Sequence, residues 1–224
     1  MNQIFNIPSF IISMKGKDDS YLRSEKQLSD LGMKDIRKFE AIIGKDLIPS
    51  IDIKDYDLNT RAGTREPENP VVPVTINVLN DLNNGRYEHS GIPGKGALGC
   101  YMSHVYIWNW LINQSDHDYI FIFEDDMKIK NENVFNDLYD ILNTEIKDVF
   151  DIILVGYSML RYSVNKLKIN EYITKYQGLF FGTQGYLISK KGANFLLKYM
   201  FPISMQIDSM IGNLSINFES IFIF

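Results

Sequence analysis

Short apolar runs alternate with stretches of helical period along most of the chain. Ser9–Met14 (SFIISM) is apolar and partly β-branched, and it predicts a first buried strand. Lys15–Asp19 reads as a polar turn. Ser20–Leu31 follows as a helix, with Gly32 where a C′ glycine belongs. Ile36–Ile43 predicts a second strand, closed by Gly44. Strand, helix and strand within about 35 residues have the size and order of a βαβ unit. Further on, Leu98, Met102, Val105, Trp108 and Ile112 recur at spacings of three and four, so Ala97–Asn113 predicts a long helix with one buried face. A strand at Tyr119–Phe123, a helix near Asn133–Asn143 and a strand at Asp151–Val155 come next. Gly178–Ser189 is glycine-punctuated and strand-like, and Lys190–Tyr199 predicts a last helix before Pro202. The alternation predicts an α/β class with a mostly parallel sheet flanked by helices.

Residues Lys45–Gly96 break this pattern. Pro49, Pro67, Pro70, Pro73 and Pro93, with Asn83-Asn84-Gly85 and Gly91, leave no clear periodicity. Such a stretch predicts an irregular insertion or a flap over a site. Val71–Val78 can form a short strand inside it, confined to an edge by Pro73. The expected organisation is one domain over residues 1–224, with 45–96 as its insertion.

The chemistry concentrates where Tyr119–Phe123 ends in Glu124, Asp125 and Asp126. Three carboxylates at the end of a buried strand repel one another unless a cation or a set of donors meets them. Oxygen-only ligands suit a hard ion such as Mn²⁺ or Mg²⁺, and ligands of α/β sheets bind at the carboxyl ends of strands. A solvated acidic turn is the plainer alternative.

Composition narrows the partners. The chain has 224 residues and a formal net charge of −5, which argues against sequence-independent nucleic-acid binding. An anionic nucleotide would need a metal to neutralise it here. Cys100 is the one cysteine, so no intrachain disulfide forms, and its apolar setting suits a small core residue. Met1–Met14 has no basic n-region, and no window approaches the ~18 apolar residues of a membrane span. The expectation is a soluble, cytoplasmic protein without a signal peptide or membrane span.

Several separated segments resemble one family, the family-25 glycosyltransferases, which include bacterial lipooligosaccharide galactosyltransferases and procollagen galactosyltransferases. The likeness begins with Phe10–Met14, Arg23 and Phe39-Glu40-Ala41-Ile42-Ile43-Gly44. It is strongest at Leu98-Gly99-Cys100-Tyr101-Met102-Ser103-His104 followed by Trp108, and at Ile122-Phe123-Glu124-Asp125-Asp126. Gly185–Ala193 (GYLISKKGA) and Ile207-Asp208 complete the ordered set. Ser13 stands where the family usually has Asn, and Ala97 where a Glu is frequent. The sequence ends at Phe224, soon after Asp208, so a truncated or minimal C-terminus is expected.

The resemblance implies a GT-A fold, a Rossmann-like sheet that binds a sugar nucleotide with Mn²⁺ (or Mg²⁺). It implies Asp126 as a direct metal ligand, Glu124 as a ligand directly or through water, and Asp125 turned towards the ribose or another donor hydroxyl. Inversion at the anomeric carbon calls for a carboxylate base, and Asp208 is the candidate by motif order; a helix cap is its plainer role. Ser13 falls among the expected nucleotide contacts. Arg23 either approaches the donor or makes a surface ion pair. His104 either bonds a phosphate or acceptor or is a satisfied core histidine, and Ser103 either joins it or back-bonds within its helix. The implied activity moves galactose or glucose from a UDP-sugar to a glycan or a hydroxylysine-type protein acceptor. The alternative is a catalytically silent GT-A module that binds sugar nucleotide or glycan.

Overall fold

A computed structural model describes residues 3–52, 70–144, 150–216 and 221–223. Ser9–Ser13 is buried at every position and forms strand β1. Helix α1 (Asp18–Asp30) leads to strand β2 (Ile36–Glu40), as the apolar pattern predicts. Gly32 ends this helix with φ 94°, its N–H donating to Ser29 O at 2.9 Å while Met33 N–H reaches Leu28 O at 3.1 Å. These two bonds satisfy orphan carbonyls of the last turn, and buried Leu28 and Met33 belong to the same apolar cluster.

The stretch 45–96 holds more regular structure than its prolines suggest. β3 (Ile48–Ser50) pairs in parallel with β4 (Val71–Pro73), a two-stranded sheet. The expected Val71–Val78 strand stops at Pro73 because Thr75 caps a helix, its Oγ1 accepting Val78 N–H at 3.4 Å. Helix α2 (Ile76–Asn84) follows and buries Val78. Residues 53–69, where the rest of the expected flap falls, lie outside the described residues.

Helix α3 (Lys95–Asn113), strand β5 (Tyr119–Glu124), helix α4 (Val134–Thr144) and strand β6 (Ile152–Gly156) match the sequence reading closely. β7 (Met159–Lys168) and β8 (Thr174–Phe181) form a hairpin. The predicted strand-like run Gly178–Ser189 is two strands, because Gly182 turns the chain at φ 90° before β9 (Gly185–Ser189). Helices α5 (Lys190–Tyr199) and α6 (Ile207–Ser215) and strand β10 (Ile221–Ile223) complete the described elements.

The main sheet has eight strands in the order β2-β1-β5-β9-β6-β10-β8-β7. Strands β2, β1, β5, β6, β10 and β7 run one way and only β9 and β8 oppose them, so the sheet is mostly parallel by strand direction. Alternate residues feed two apolar layers, as the two-residue period of a strand requires. Ile120 and Ile122 of β5 join Phe10, Ile12, Tyr186 and Ile188 in the layer built with α3, α5 and α6. Phe121 and Phe123 join Ile11, Ile153 and Leu187 in the layer built with α1 and α4.

One glycine contact sets how α3 docks. A Cβ on Gly99 would overlap the Ile42 carbonyl, and one on Gly44 would overlap the Lys95 carbonyl. Gly99→Ala should therefore destabilise the protein by about 1–3 kcal/mol, the usual cost of overpacking a close approach. Thermal melting reads this as a loss of several degrees, on the order of 2–4 °C per kcal/mol for a chain of this size. An unchanged melting temperature would refute the close contact.

Candidate active site

The β5 turn separates its three acids and gives each a different environment. Glu124, the last residue of the strand, donates its N–H to Gln184 O at 3.1 Å and accepts Thr183 Oγ1–H on Oε1 at 2.6 Å. Asp125 turns towards β1. Its N–H donates to Ile12 O at 3.2 Å, its Oδ2 accepts Ser13 Oγ–H at 2.6 Å, and its carbonyl accepts Ser24 Oγ–H at 2.9 Å. Asp126 is exposed, and its carboxylate makes no hydrogen bond among the described residues.

Asp208 comes to the same place from the first turn of α6. Its Oδ2 accepts Gly182 N–H at 2.8 Å and its Oδ1 accepts Ser209 N–H at 2.6 Å. A negative charge in a first helical turn also complements the helix dipole. The carboxylates act on one another. Burial pushes the Glu124 carboxyl up, the Thr183 hydrogen bond opposes this, and Asp126, Asp208 and Asp125 push it further up. The Cys100 thiol is pushed up to about 12, by burial first and then by Glu124, Asp208 and Asp126. Among the described residues, the charges that shift Glu124 are the carboxylates of Asp126, Asp208 and Asp125.

His104 lies one helical turn from Cys100 on α3 and is fully buried. Its Nδ1 is 2.8 Å from Tyr186 OH, which also accepts Trp108 Nε1–H at 2.9 Å. Its Nε2 faces Glu124 Oε1 at 3.9 Å and has no hydrogen-bond partner among the described residues. Burial pushes His104 down to about 3, so the ring is neutral near pH 7 and this contact is not an ion pair. Ser103, also fully buried, donates to Gly99 O at 2.8 Å and accepts Ile42 N–H at 2.9 Å, tying α3 to the segment after β2. Arg23 is exposed on α1, its Nη2 donating to Ser20 Oγ at 3.1 Å.

The structure thus brings Glu124, Asp126, Asp208 and His104 together. Asp125 and Ser13 form a separate pair beside them, while Arg23 and Ser103 point their bonds elsewhere. Ligand atoms of Cys100, His104 and Glu124 lie within 4.8 Å of one another and can hold a metal ion. Asp126 and Asp208 act on Glu124 through their charge rather than as members of that close group.

Thr183, Tyr186 and Cys100 were not among the residues singled out for chemistry. Cys100 carried a signal, being four residues before His104 on a predicted helix. Tyr186 lay within the GYLISKKGA motif without a role, Thr183 carried no signal, and the approach of Tyr186 depends on β9 running antiparallel to β5. A cleft of about 500 Å³ is lined by Phe123, Met127, Lys128, Val155, Tyr157 and Gln184 among others, and none of the four acids is part of its lining.

A family description, glycosyltransferase family 25 (LPS biosynthesis protein), matches residues 6–211. The lipooligosaccharide biosynthesis protein lex-1 of Haemophilus influenzae is 28% identical, over 61% of this chain and 49% of that protein. The chain therefore spans about half the length of the curated relative it matches. Among the described residues, no helix is long and apolar enough to cross a membrane.

Proposed function

The chain belongs to glycosyltransferase family 25, and from that premise we propose that it transfers galactose or glucose from a UDP-sugar to a lipopolysaccharide-type glycan. The mostly parallel sheet flanked by helices agrees with the GT-A type of fold. The observation that carries the proposal is the group of mutually repelling acids at the carboxyl end of β5, where Asp126, Asp208 and Asp125 all act on Glu124. A diphosphate does not approach such a field unaided, and the oxygen donors there fit Mn²⁺ or Mg²⁺. Glu124 and Asp126 would hold the ion. Bound there, it would stabilise the negative charge that grows on the departing diphosphate.

The remaining roles fall to the chain itself. Asp125 and Ser13, paired at 2.6 Å beside the end of β1, are placed to hold a donor hydroxyl. Asp208 keeps a second lone pair on each oxygen beyond its backbone bonds, and we assign it the acceptor hydroxyl proton. The acceptor is taken as a glycan of this kind because both the family description and the lex-1 relative are named for such biosynthesis.

Calorimetry of UDP with the purified protein tests this reading. Affinity should be weak in chelator and clearly tighter with Mn²⁺, because the ion must screen the acids from the diphosphate. Equal affinity in the two conditions would remove the metal from the account.

A further inference from the structure

We propose that His104 is a positioning residue, its Nε2–H locked by Trp108 and Tyr186 and aimed to hold the Glu124 carboxylate. The lock follows from donor and acceptor counting. An indole N–H only donates, so the Trp108 bond at 2.9 Å occupies a lone pair of the Tyr186 oxygen. Trp108, Tyr186 and His104 are all fully buried, which favours bonds among the three. The phenol has one hydrogen of its own to place, and His104 Nδ1 lies 2.8 Å away. Nδ1 must then be the acceptor. With Nδ1 accepting, the imidazole proton sits on Nε2.

Among the described residues that N–H has no partner, and it faces Glu124 Oε1 at 3.9 Å. A buried donor in this position is costly unless an acceptor comes to it. A movement of about 1 Å brings the carboxylate into hydrogen-bond range. Thr183 already donates to the same oxygen at 2.6 Å. The two donors together grip Oε1 and leave Oε2 as the oxygen offered to a ligand. The lock also disfavours a soft metal between Cys100, His104 and Glu124. Such a metal needs the Nε2 lone pair, and the displaced proton on Nδ1 would leave Tyr186 with two incoming donors and no acceptor for its own hydrogen.

The proposal rests on Glu124 serving the donor site, so its test includes a readout that needs no ligand. The chain has three histidines, His89, His104 and His117. Nitrogen-15 imidazole spectra of the ligand-free protein, with His104→Gln to identify the signal, should show the Nε2–H tautomer. Trp108→Phe should shift His104 towards a mixture with Nδ1–H, since Tyr186 is then free to accept. In UDP binding, His104→Ala should weaken apparent Mn²⁺ affinity about 10–100-fold, the usual cost of losing an outer-shell partner. His104→Gln should recover most of it, because its amide N–H reaches a similar point. An Nδ1–H tautomer in the unmodified protein would overturn the lock, and equal losses in the Ala and Gln variants would overturn the positioning role. The tautomer result is distinct from any failure to bind UDP.

Discussion

Replacing Asp126 by Asn should lower transfer, or hydrolysis of the donor, by about 10²-fold or more while leaving the fold intact. The side chain is exposed and makes no hydrogen bond among the described residues, so nothing structural is lost with its charge. Its charge does act on the site, being one of those that push Glu124 and Cys100 up. Removing it relieves repulsion and should leave the melting temperature unchanged or slightly raised. What disappears is a full ligand charge beside the departing diphosphate. Turnover measured across a Mn²⁺ titration should therefore fall at every concentration, with the midpoint moved to higher metal. Full activity with an ordinary metal dependence would take Asp126 out of the site.

Asp208→Asn separates chemistry from binding. As the base for the acceptor hydroxyl, Asp208 should be worth 10²–10⁴-fold in kcat, about 3–5 kcal/mol of barrier. Mn²⁺-dependent UDP affinity should stay nearly intact, since the acceptor side is affected. A stability loss of about 1–3 kcal/mol should accompany it, because an amide cannot accept at both ends and leaves either the Gly182 or the Ser209 N–H unmet. Melting temperature, UDP affinity and turnover on one purified variant distinguish the alternatives. Lower stability with unchanged turnover would make Asp208 purely a clamp on the Gly182 turn. A joint loss of UDP and Mn²⁺ affinity would make it a metal ligand instead.

The elements that the sequence made legible are those whose burial is periodic. β1, α1 and β2 emerge from one apolar run, a 3.6-residue pattern and a C′ glycine, and the structure differs from them by only a few residues at the ends. α3 and β5 are equally plain, since Leu98, Met102, Val105 and Trp108 are fully buried on one and Ile120–Ile122 on the other. The β7–β8 hairpin was not legible. β7 (MLRYSVNKLK) is exposed at nearly every position and gives no apolar alternation to read. α6 was hidden for another reason, because its short apolar stretch follows Pro202 and carries no side-chain cap.

For the site, the acidic end of β5 stood out because charge at the end of a buried run is costly. How the acids divide the work was not visible. Ser13 was expected as a nucleotide contact and noted as a departure from the family, and its hydroxyl is what holds Asp125 towards β1. Ser103 and His104, adjacent in sequence, take opposite directions from α3. One meets Ile42 and the other meets Tyr186 and Glu124. Partners brought together from strands and loops so far apart in the chain leave no local trace in the pattern of residues.

Metal-dependent cleavage of a sugar nucleotide is the most direct measurement of the proposed activity. A panel of UDP-hexoses, incubated with the purified chain in Mn²⁺ and in chelator, should show UDP release from UDP-galactose or UDP-glucose with Mn²⁺ alone. A lipooligosaccharide-type glycan should accelerate that release. No release from any donor under either condition, with UDP still bound, would contradict the assignment of a transferase and leave a module that only binds.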